Sequence, residues 1–386
     1  MTPAQNSIPA TLPELPLEVL SAIINEFDPD KHEDRQTLRS LLFACRKLYL
    51  LALRPLYQDI SFSQEGYEWD EHPFRHELAS LARDAKTNPG LKYTASFSCI
   101  LVHNYADSTV SYDKIDGLIG DIAPFLINVR RIIISLESCP INALPLQSLP
   151  SSAPISHLKL SECSLTCKHL QAFLASRPTL KWLDVSAHED PPLSERSALV
   201  VSALLHLLSL SIDARDIVVF EHPLASLVNI DLCGYDMMAL DPPRIVSDMA
   251  PFASITACRL SSLRSIDISP VVSSFPHLEY LWVHPEIPKQ DIDYSALSSA
   301  KLKYLRCYSA HPSARAFGRM MLDTVKTLLV IDITTVPIYQ TMRMYKPDYH
   351  GPVFYESDEW SRWWEHAGRA VELASRFEIV KSSSSA

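Results

Sequence analysis

Glycine is scarce in this sequence, with 8 residues among 386. Folds that cradle a nucleotide need glycines where the backbone approaches phosphate, and the sequence contains neither G-x-G-x-x-G nor G-x-x-x-x-G-K. The composition therefore argues against a P-loop or Rossmann enzyme.

Basic residues and long apolar runs are also in short supply. The 35 Lys and Arg against 45 Asp and Glu give a net charge of -10, which disfavours nucleic acid and anionic membranes as partners because both are recognised by basic surfaces. No apolar stretch reaches the roughly 20 residues that span a bilayer, and the first residues lack the features of a secretory leader. The 8 cysteines are scattered, with no C-x-x-C pair. We expect a protein of the cytoplasm and/or nucleus with reduced thiols.

Leucine and proline, in contrast, are abundant, with 51 and 28 residues. Proline interrupts helices and central strands, so this mixture favours many short elements over one large sheet. The position of the leucines then decides what those elements are.

Apolar residues recur at helical spacing three times within the first 60 residues. The charged segment between the first two stripes, 28–36, is predicted as a loop, with Thr37 as the cap of the second helix and Pro55 at the end of the third. Three short helices form a very small core, which often depends on a partner for stability. The stripes are Leu20, Ile23, Ile24 and Phe27; Leu38, Leu41, Leu42 and Cys45; and Leu48, Tyr49, Ala52, Leu53 and Leu56.

This N-terminal segment resembles an F-box. The resemblance runs from Leu12 to Ile60 and rests on 15–20 (LPLEVL), the pair Ile23-Ile24, the step 44–46 (ACR) and the closing Leu56-Tyr57. The segment departs from the family in its longer charged stretch after the first helix and in having Leu48-Tyr49 where a tryptophan is customary. The alternative is a helical bundle that merely caps the rest of the chain.

The resemblance implies that the segment binds a Skp-family adaptor and hence a cullin ligase. Burial and docking cannot be separated from sequence, because several of these residues must also hold the helices together. The residues that the resemblance assigns to the adaptor are Leu15, Pro16, Leu17, Val19, Leu20, Ile23, Ile24, Leu41, Cys45, Leu56 and Tyr57.

A second pattern, from about residue 90 to 335, repeats with a period near 25. Residues 155–165 (ISHLKLSECSL) form a full L-x-x-L-x-L-x-x-C-x-L unit followed by a helical stripe, which together resemble one coil of a leucine-rich repeat. Weaker copies follow, and a Pro-rich detour between Asp241 and Phe252 shifts one register. Aligned on the second leucine, the copies are predicted at Ile132, Leu158, Leu183, Leu210, Ile230, Ile266, Leu281, Leu305 and Leu328.

The repeat also accounts for Cys163. In each coil neither the strand nor the outer segment can bury its apolar face alone, so neighbouring coils must stack and the inward leucines are structural. Cys163 occupies the turn position where such repeats use Asn or Cys. Cys167 and His169 lie close by, but a fourth metal ligand is missing locally. We therefore expect no metal and no cofactor.

A tryptophan-rich stripe near the C-terminus predicts one more helix. Trp360, Trp363 and Trp364 begin a stripe that continues to Ala374, with Ser357 as its cap. Such a helix closes the end of a repeat array or, alternatively, binds a ligand or partner. The stretch 336–355 is predicted as the connection to it, and 382–385 as a disordered tail.

No catalytic motif has the spacing that its chemistry demands, so we expect no enzyme. The alternative is an enzyme with its site in the irregular segments Tyr67–Asp121 or Val336–Tyr355.

Polar residues between the inward leucines face out of the sheet, on what is the concave side in this architecture. Trp, Tyr and Arg among them are the types enriched at binding hot spots. The candidate target-binding residues are Trp282, His284, Arg306 and Tyr308, beside a lane of carboxylates at Asp184, Asp213, Asp231 and Asp267; the alternative is an ordinary polar repeat surface.

The combined prediction is an α/β chain in three parts. Residues 1–62 form the F-box-like three-helix domain, 63–335 an irregular leucine-rich-repeat solenoid, and 336–386 the connection, the capping helix and the tail. The resemblance implies a substrate-recognition subunit of an SCF-type ubiquitin ligase, which binds a target protein through the repeats and does no covalent chemistry. The alternative is a repeat scaffold for protein interactions without a ligase role.

Overall fold

The computed structural model of the chain describes residues 15–29, 31–65, 73–102, 113–136, 144–161, 168–186, 204, 206–213, 224, 226–233, 254–263, 268–285, 294–309, 313–335 and 340–347. The chain divides into two compact units. The first comprises 1–137 and 144–155, and the second 138–143 and 156–386.

The first unit opens with three helices. Helix α1 spans Leu17–Asn25, α2 spans His32–Ala44 and α3 spans Arg46–Gln58. Their centre is a cluster of buried side chains, against which Leu15, Phe27, Leu41, Leu42, Cys45, Leu51 and Leu56 pack. Lys47 Nζ ties the entry of α1 to α3 by donating to the carbonyl of Leu15 at 2.6 Å. The buried residues of the cluster are Leu20, Ile24, Leu38, Leu48 and Ala52.

Two helix boundaries differ from the sequence prediction. Helix α2 begins at His32, so much of the charged segment predicted as a loop is helical and Thr37 is not a cap. The Thr37 hydroxyl instead donates to the carbonyl of Glu33 at 3.0 Å, inside the helix. Glu33 and Asp34 stabilise the first turn through the helix dipole, which a reading of apolar spacing alone overlooks. Helix α3 likewise continues past Pro55 to Gln58.

Three parallel strands complete the first unit. They are β1 (Asp59–Glu65), β2 (Ser96–Val102) and β3 (Arg131–Leu136), in the order β1-β2-β3, with α4 (Pro73–Asp84) and α5 (Asp113–Ile122) between them. Short 3₁₀ turns follow at Leu91–Tyr93, Ala123–Phe125 and Leu144–Ser148. The predicted boundary at 62/63 lies inside β1; the assignment of the three helices to a separate domain stays a prediction.

The second unit is a sheet built in chain order. Its parallel strands are β4 (His157–Ser161), β5 (Trp182–Ser186), β6 (Ser209–Asp213), β7 (Asn229–Cys233), β8 (Ala257–Leu263), β9 (Tyr280–Pro285), β10 (Tyr304–Ser309) and β11 (Val330–Thr335). Helices α6 (Lys168–Ala175), α7 (Ser269–Ser274) and α8 (Ala314–Thr324) and a 3₁₀ turn at Ser295–Ser299 lie between strands. Sequential parallel strands with one connection each are the arrangement that the leucine spacing predicts.

The inward leucines of successive coils align in register. Leu158 pairs with Leu183, Leu183 with Leu210 and Leu210 with Ile230, and all four are fully buried. A second backbone link repeats before each strand. The carbonyl of Ser156, for example, accepts from the N–H groups of both Lys181 and Trp182, at 2.9 and 3.0 Å. Each coil is therefore held to the next by side-chain burial and by the same backbone hydrogen bonds.

The predicted register is wrong at two coils. Cys258, not Ile266, lies opposite Ile230 and Leu281, and Ile331, not Leu328, lies opposite Leu305. Leu328 instead occupies the first leucine position of its coil, fully buried. With Cys258 in place, the irregular gaps of 36 and 15 residues become 28 and 23 (258 − 230 and 281 − 258). A cysteine behaves as a small hydrophobic residue and fills the leucine site.

The last strand runs the other way. Strand β12 (Gln340–Tyr345) pairs antiparallel with β11, from Val330 opposite Tyr345 to Thr335 opposite Gln340. The stretch predicted as a mere connection thus contains a strand that covers the edge of β11. The tryptophan-rich helix predicted between 357 and 374, and the tail at 382–385, lie outside the described residues. Among the described helices, none has the length and hydropathy to cross a membrane.

Candidate functional site

The polar face of the second unit's sheet carries one side chain from each strand in a single transverse row. These residues alternate with the buried leucines and pair directly across neighbouring strands, which lie about 4.8 Å apart. We call this set the central row. It consists of Lys159, Asp184, Ser211, Asp231, Arg259, Trp282, Arg306, Asp332 and Arg343.

The carboxylates in the first half of the central row have partners on neighbouring strands. Asp184 Oδ2 lies 2.9 Å from Lys159 Nζ. Asp231 accepts a hydrogen bond of 2.8 Å from the Ser261 hydroxyl, and its Oδ2 lies 3.7 Å from Arg259 Nε. Burial raises the pKa of Asp231 to about 6, and the opposing attraction of Arg259 is smaller. The predicted carboxylate lane is therefore in part an internal ion-pair ladder.

Of the two other predicted carboxylates, only Asp213 belongs to a described strand. Asp213 lies on β6 opposite Cys233, two residues along the strand from Ser211 of the central row. Asp267 lies outside the described residues, and with β8 at Ala257–Leu263 the residue in the central row is Arg259.

Trp282 is held between two arginines. The guanidinium carbon of Arg259 lies 4.0 Å from the centre of the indole ring, and that of Arg306 lies 4.4 Å from it. The three residues come from the adjacent strands β8, β9 and β10 in direct register. Cation–π attraction and planar stacking favour this arrangement, which we call the Arg–Trp–Arg stack.

His284 and Tyr308 lie two residues further along the same strands, on the same face. Their ring centres are 4.8 Å apart in an edge-to-face contact. Burial lowers the pKa of His284, and the charges of Arg259 and Arg306 lower it further. The structure thus brings Trp282, His284, Arg306 and Tyr308 together, as the spacing predicted; their role in binding stays a prediction.

Three central-row residues were missed by sequence reasoning. Arg259 was not predicted because its coil was aligned on Ile266 and not on Cys258. Asp332 is completely buried and accepts hydrogen bonds from Arg343 Nε and Nη2 at 2.6 and 2.8 Å. The two residues thus form a bidentate ion pair between β11 and β12. The alternation of 330–335 (VIDITT) could have revealed Asp332, had Ile331 and not Leu328 been aligned with Leu305.

In the three-helix segment, the predicted docking residues divide into two groups. Leu20 and Ile24 are buried in its core, and Leu15, Leu41, Cys45 and Leu56 pack partly against it. Pro16, Leu17, Val19 and Ile23 are exposed. Two further apolar residues that the sequence did not single out are exposed as well, Phe43 at 90% and Leu50 at 51%.

Tyr57 has contacts inside the first unit. Its hydroxyl accepts from the Asn88 side-chain amide at 3.1 Å, and the Asn88 carbonyl oxygen accepts from the Gly90 N–H at 2.9 Å. A Cβ at Gly90 would lie 2.5 Å from the Tyr57 ring, so this position requires glycine. Tyr57 is thus a packing residue for the loop at Asn88 and Gly90.

The described residues contain no group of three His, Cys, Asp or Glu arranged to hold a metal ion. Of the earlier metal candidates, Cys163 and Cys167 lie outside the described residues. Burial raises the pKa of Cys99 and of Cys233 to about 12, so these thiols stay protonated at neutral pH and are poor nucleophiles.

No protein-family model matches the chain, and no curated protein sequence matches it significantly. A solved structure of related shape is the leucine-rich repeat-containing protein LegL7 from Legionella pneumophila. It is 13% identical to this chain, with a TM-score of 0.42, and the match covers 74% of this chain and 92% of LegL7. The architecture described above is α/β, with a long sheet whose strands are joined in chain order and are parallel as far as β11.

Proposed function

We propose that this protein is a substrate-recognition subunit of an SCF-type ubiquitin ligase. In this proposal the three helices α1–α3 bind a Skp-family adaptor, and the polar sheet face binds the protein to be ubiquitinated. The protein itself makes and breaks no covalent bond. It acts in the cytoplasm and/or nucleus by raising the effective concentration of its target at the ligase.

The observation that carries the proposal is the exposed apolar surface of the three helices. Leu17, Val19 and Ile23 of α1, Phe43 of α2 and Leu50 of α3 are all between 37% and 90% exposed. Several large apolar side chains left exposed on a short segment, although Leu20, Ile24 and Leu48 already form its core, are typical of a protein interface. The F-box resemblance of the same segment supplies the identity of the partner.

The target-binding half of the proposal is supported by the Arg–Trp–Arg stack with His284 and Tyr308. Arg, Trp and Tyr are the residues most often responsible for binding energy at protein interfaces. They lie on strands, which hold them more firmly than loops would.

Capture of a Skp-family adaptor by the full-length chain tests the ligase proposal. We expect the wild type to retain purified adaptor, and the variant Val19→Asp/Ile23→Asp to lose it, because two charges would be buried against an apolar partner. The matched control is Ile127→Asp/Met320→Asp, which places the same charges on exposed apolar residues outside the three helices. Circular dichroism verifies that both variants fold.

The second candidate is a repeat scaffold without a ligase role. It is favoured if the wild type fails to retain the adaptor under conditions that retain a known receptor. Equal loss of the adaptor by the control variant would also contradict the proposed docking surface, since the effect would then not depend on α1.

A further inference from the structure

We propose that the Arg–Trp–Arg stack binds an oxyanion, a carboxylate or a phosphate, carried by a peptide segment of the target. The inference deepens the proposed function, because it names the chemistry that the polar sheet face recognises. It rests on the charges around the stack, on hydrogen-bond donors that lack acceptors, and on the way the guanidiniums cover the ring.

The first argument is a local excess of positive charge in a chain of net charge -10. Three arginines of the central row, at 259, 306 and 343, face two carboxylates, Asp231 and Asp332. Both carboxylate oxygens of Asp332 accept hydrogen bonds from Arg343, and Asp231 accepts one from Ser261. Burial lowers the pKa of Arg306, Asp332 and Tyr308 oppose this, and the charges of Arg259 and Arg343 add a smaller lowering. An anion placed at the stack would relieve this repulsion.

The second argument is a shortage of acceptors. Within the described part of the chain, neither Trp282 Nε1 nor Arg259 Nε has a hydrogen-bond acceptor, and both atoms are buried. The Asp231 oxygen lies 3.7 Å from Arg259 Nε, which is too far for a hydrogen bond. Buried donors without acceptors are costly in a folded protein, and both of these are donors that cannot accept. A ligand suited to them must supply oxygen lone pairs.

The third argument concerns access. Trp282 is 8% exposed because the two guanidiniums lie against its ring, whereas the Arg259 side chain remains 30% exposed. An oxyanion that forms a two-pronged contact with Arg259 therefore meets the guanidinium first. By drawing Arg259 away from the ring it would uncover the indole, so binding should change the fluorescence of Trp282.

Fluorescence anisotropy with labelled peptides tests the inference. The probes are fluorescein-labelled hexaglutamate, a labelled hexaserine carrying two phosphoserines, and unphosphorylated hexaserine. We expect the full-length chain to bind at least one of the anionic probes and not hexaserine, and the variant Arg259→Gln/Arg306→Gln to bind about tenfold more weakly. Preference for one anionic probe identifies the oxyanion, and competition by inorganic phosphate shows whether the free ion suffices.

The control variant is Arg315→Gln/Arg319→Gln, which removes the same charge from exposed positions on α8. It should bind the anionic probes like the wild type. A second variant, Arg259→Lys/Arg306→Lys, keeps the charge and loses the planar stack, and it should bind less well than the wild type. Intrinsic fluorescence of the wild type should respond to the bound peptide, and that of Trp282→Phe should not.

Absence of binding by both anionic probes, or equal weakening by the α8 control, overturns the inference. Neither result bears on adaptor capture, because Arg259 and Arg306 lie in the second unit and the adaptor surface lies in the first. A failure of the oxyanion site is thus distinguishable from a failure of the ligase proposal.

Discussion

Gly318 lies on the side of helix α8 that packs against the last two strands. A Cβ at this position would collide with Met344 Sδ on β12 and would lie 2.8 Å from Ile333 Cδ1 on β11. We expect Gly318→Ala to lower the free energy of unfolding by about 1–3 kcal/mol, because a methyl group forced into a packed interface displaces its neighbours. Urea denaturation of the two proteins measures the difference.

Gly117 provides the matched control for that substitution. It lies inside helix α5, and a Cβ there would have no atom within 4 Å. Gly117→Ala should therefore raise the free energy of unfolding by about 0.5–1 kcal/mol, through the higher helix propensity of alanine. If both substitutions changed the free energy of unfolding in the same direction, close packing at Gly318 would not explain the effect of Gly318→Ala.

Asp231 gives the stability a distinct pH dependence. Its pKa rises from 3.8 to about 6 on folding, so between these values the folded state holds the proton more tightly than the unfolded state. Stability from this group is present below pH 4 and is lost as the pH rises through 6. Relative to that of Asp231→Asn, the free energy of unfolding of the wild type should fall by up to about 3 kcal/mol between pH 4 and pH 7.

Urea denaturation at several pH values gives that comparison. Because Asp231→Asn keeps every other titrating group, the difference between the two proteins isolates Asp231. A difference that stays constant with pH, or that grows in favour of the wild type, would show that the carboxylate is not held in the buried environment described here.

At the scale of elements, the ion pair between Asp332 and Arg343 fastens strand β12 to the sheet. Asp332 is fully buried, so Arg343→Met would leave a charge without its partner, at an expected loss of about 3–5 kcal/mol. We expect faster hydrogen exchange in Gln340–Tyr345 than in the wild type, measured by mass spectrometry, since β12 pairs with β11 alone among the described strands.

A surface ion pair of the same sheet supplies the comparison for β12. Lys303 Nζ and Glu279 Oε1 are 2.7 Å apart, but their side chains are 45% and 36% exposed. Lys303→Met should change stability by no more than about 1 kcal/mol and should leave the exchange of β12 unaltered. A loss as large as that of Arg343→Met would mean that burial does not distinguish the two pairs.

The elements that could be predicted are those whose apolar spacing is complete. Leu158, Leu183 and Leu210 each stand in a unit whose three inward positions are all Leu, Ile or Val, and their register is confirmed by direct pairing. The prediction was wrong at Cys258 and Ile331, where a residue other than leucine fills the inward site and another apolar residue, Ile266 or Leu328, was aligned in its place. Strand β12 was not predicted because it pairs antiparallel with the last repeat strand, β11, and therefore does not continue the repeating pattern of the sequence.

At the scale of the whole molecule, the sequence predicted the repeat architecture better than it predicted the surfaces. A residue that faces a partner and one that faces the protein's own core are equally apolar, so spacing alone grouped exposed Ile23 with buried Leu20. It also omitted Phe43, which no helical stripe required. In the same way, Asp184 and Asp231 were predicted as open carboxylates, whereas their partners on neighbouring strands could be known only from the register.

The two proposed surfaces belong to different compact units, and this makes their independence testable. We expect Val19→Asp/Ile23→Asp to abolish adaptor capture without altering affinity for the anionic peptides, and Arg259→Gln/Arg306→Gln to do the reverse. When the four substitutions are combined, the changes in unfolding free energy should add within about 0.5 kcal/mol, as they do for sites that share no contacts. If Val19→Asp/Ile23→Asp instead weakens peptide binding, the two surfaces share a coupling free energy. By reciprocity the anionic peptide would then change the affinity for the adaptor by the same factor.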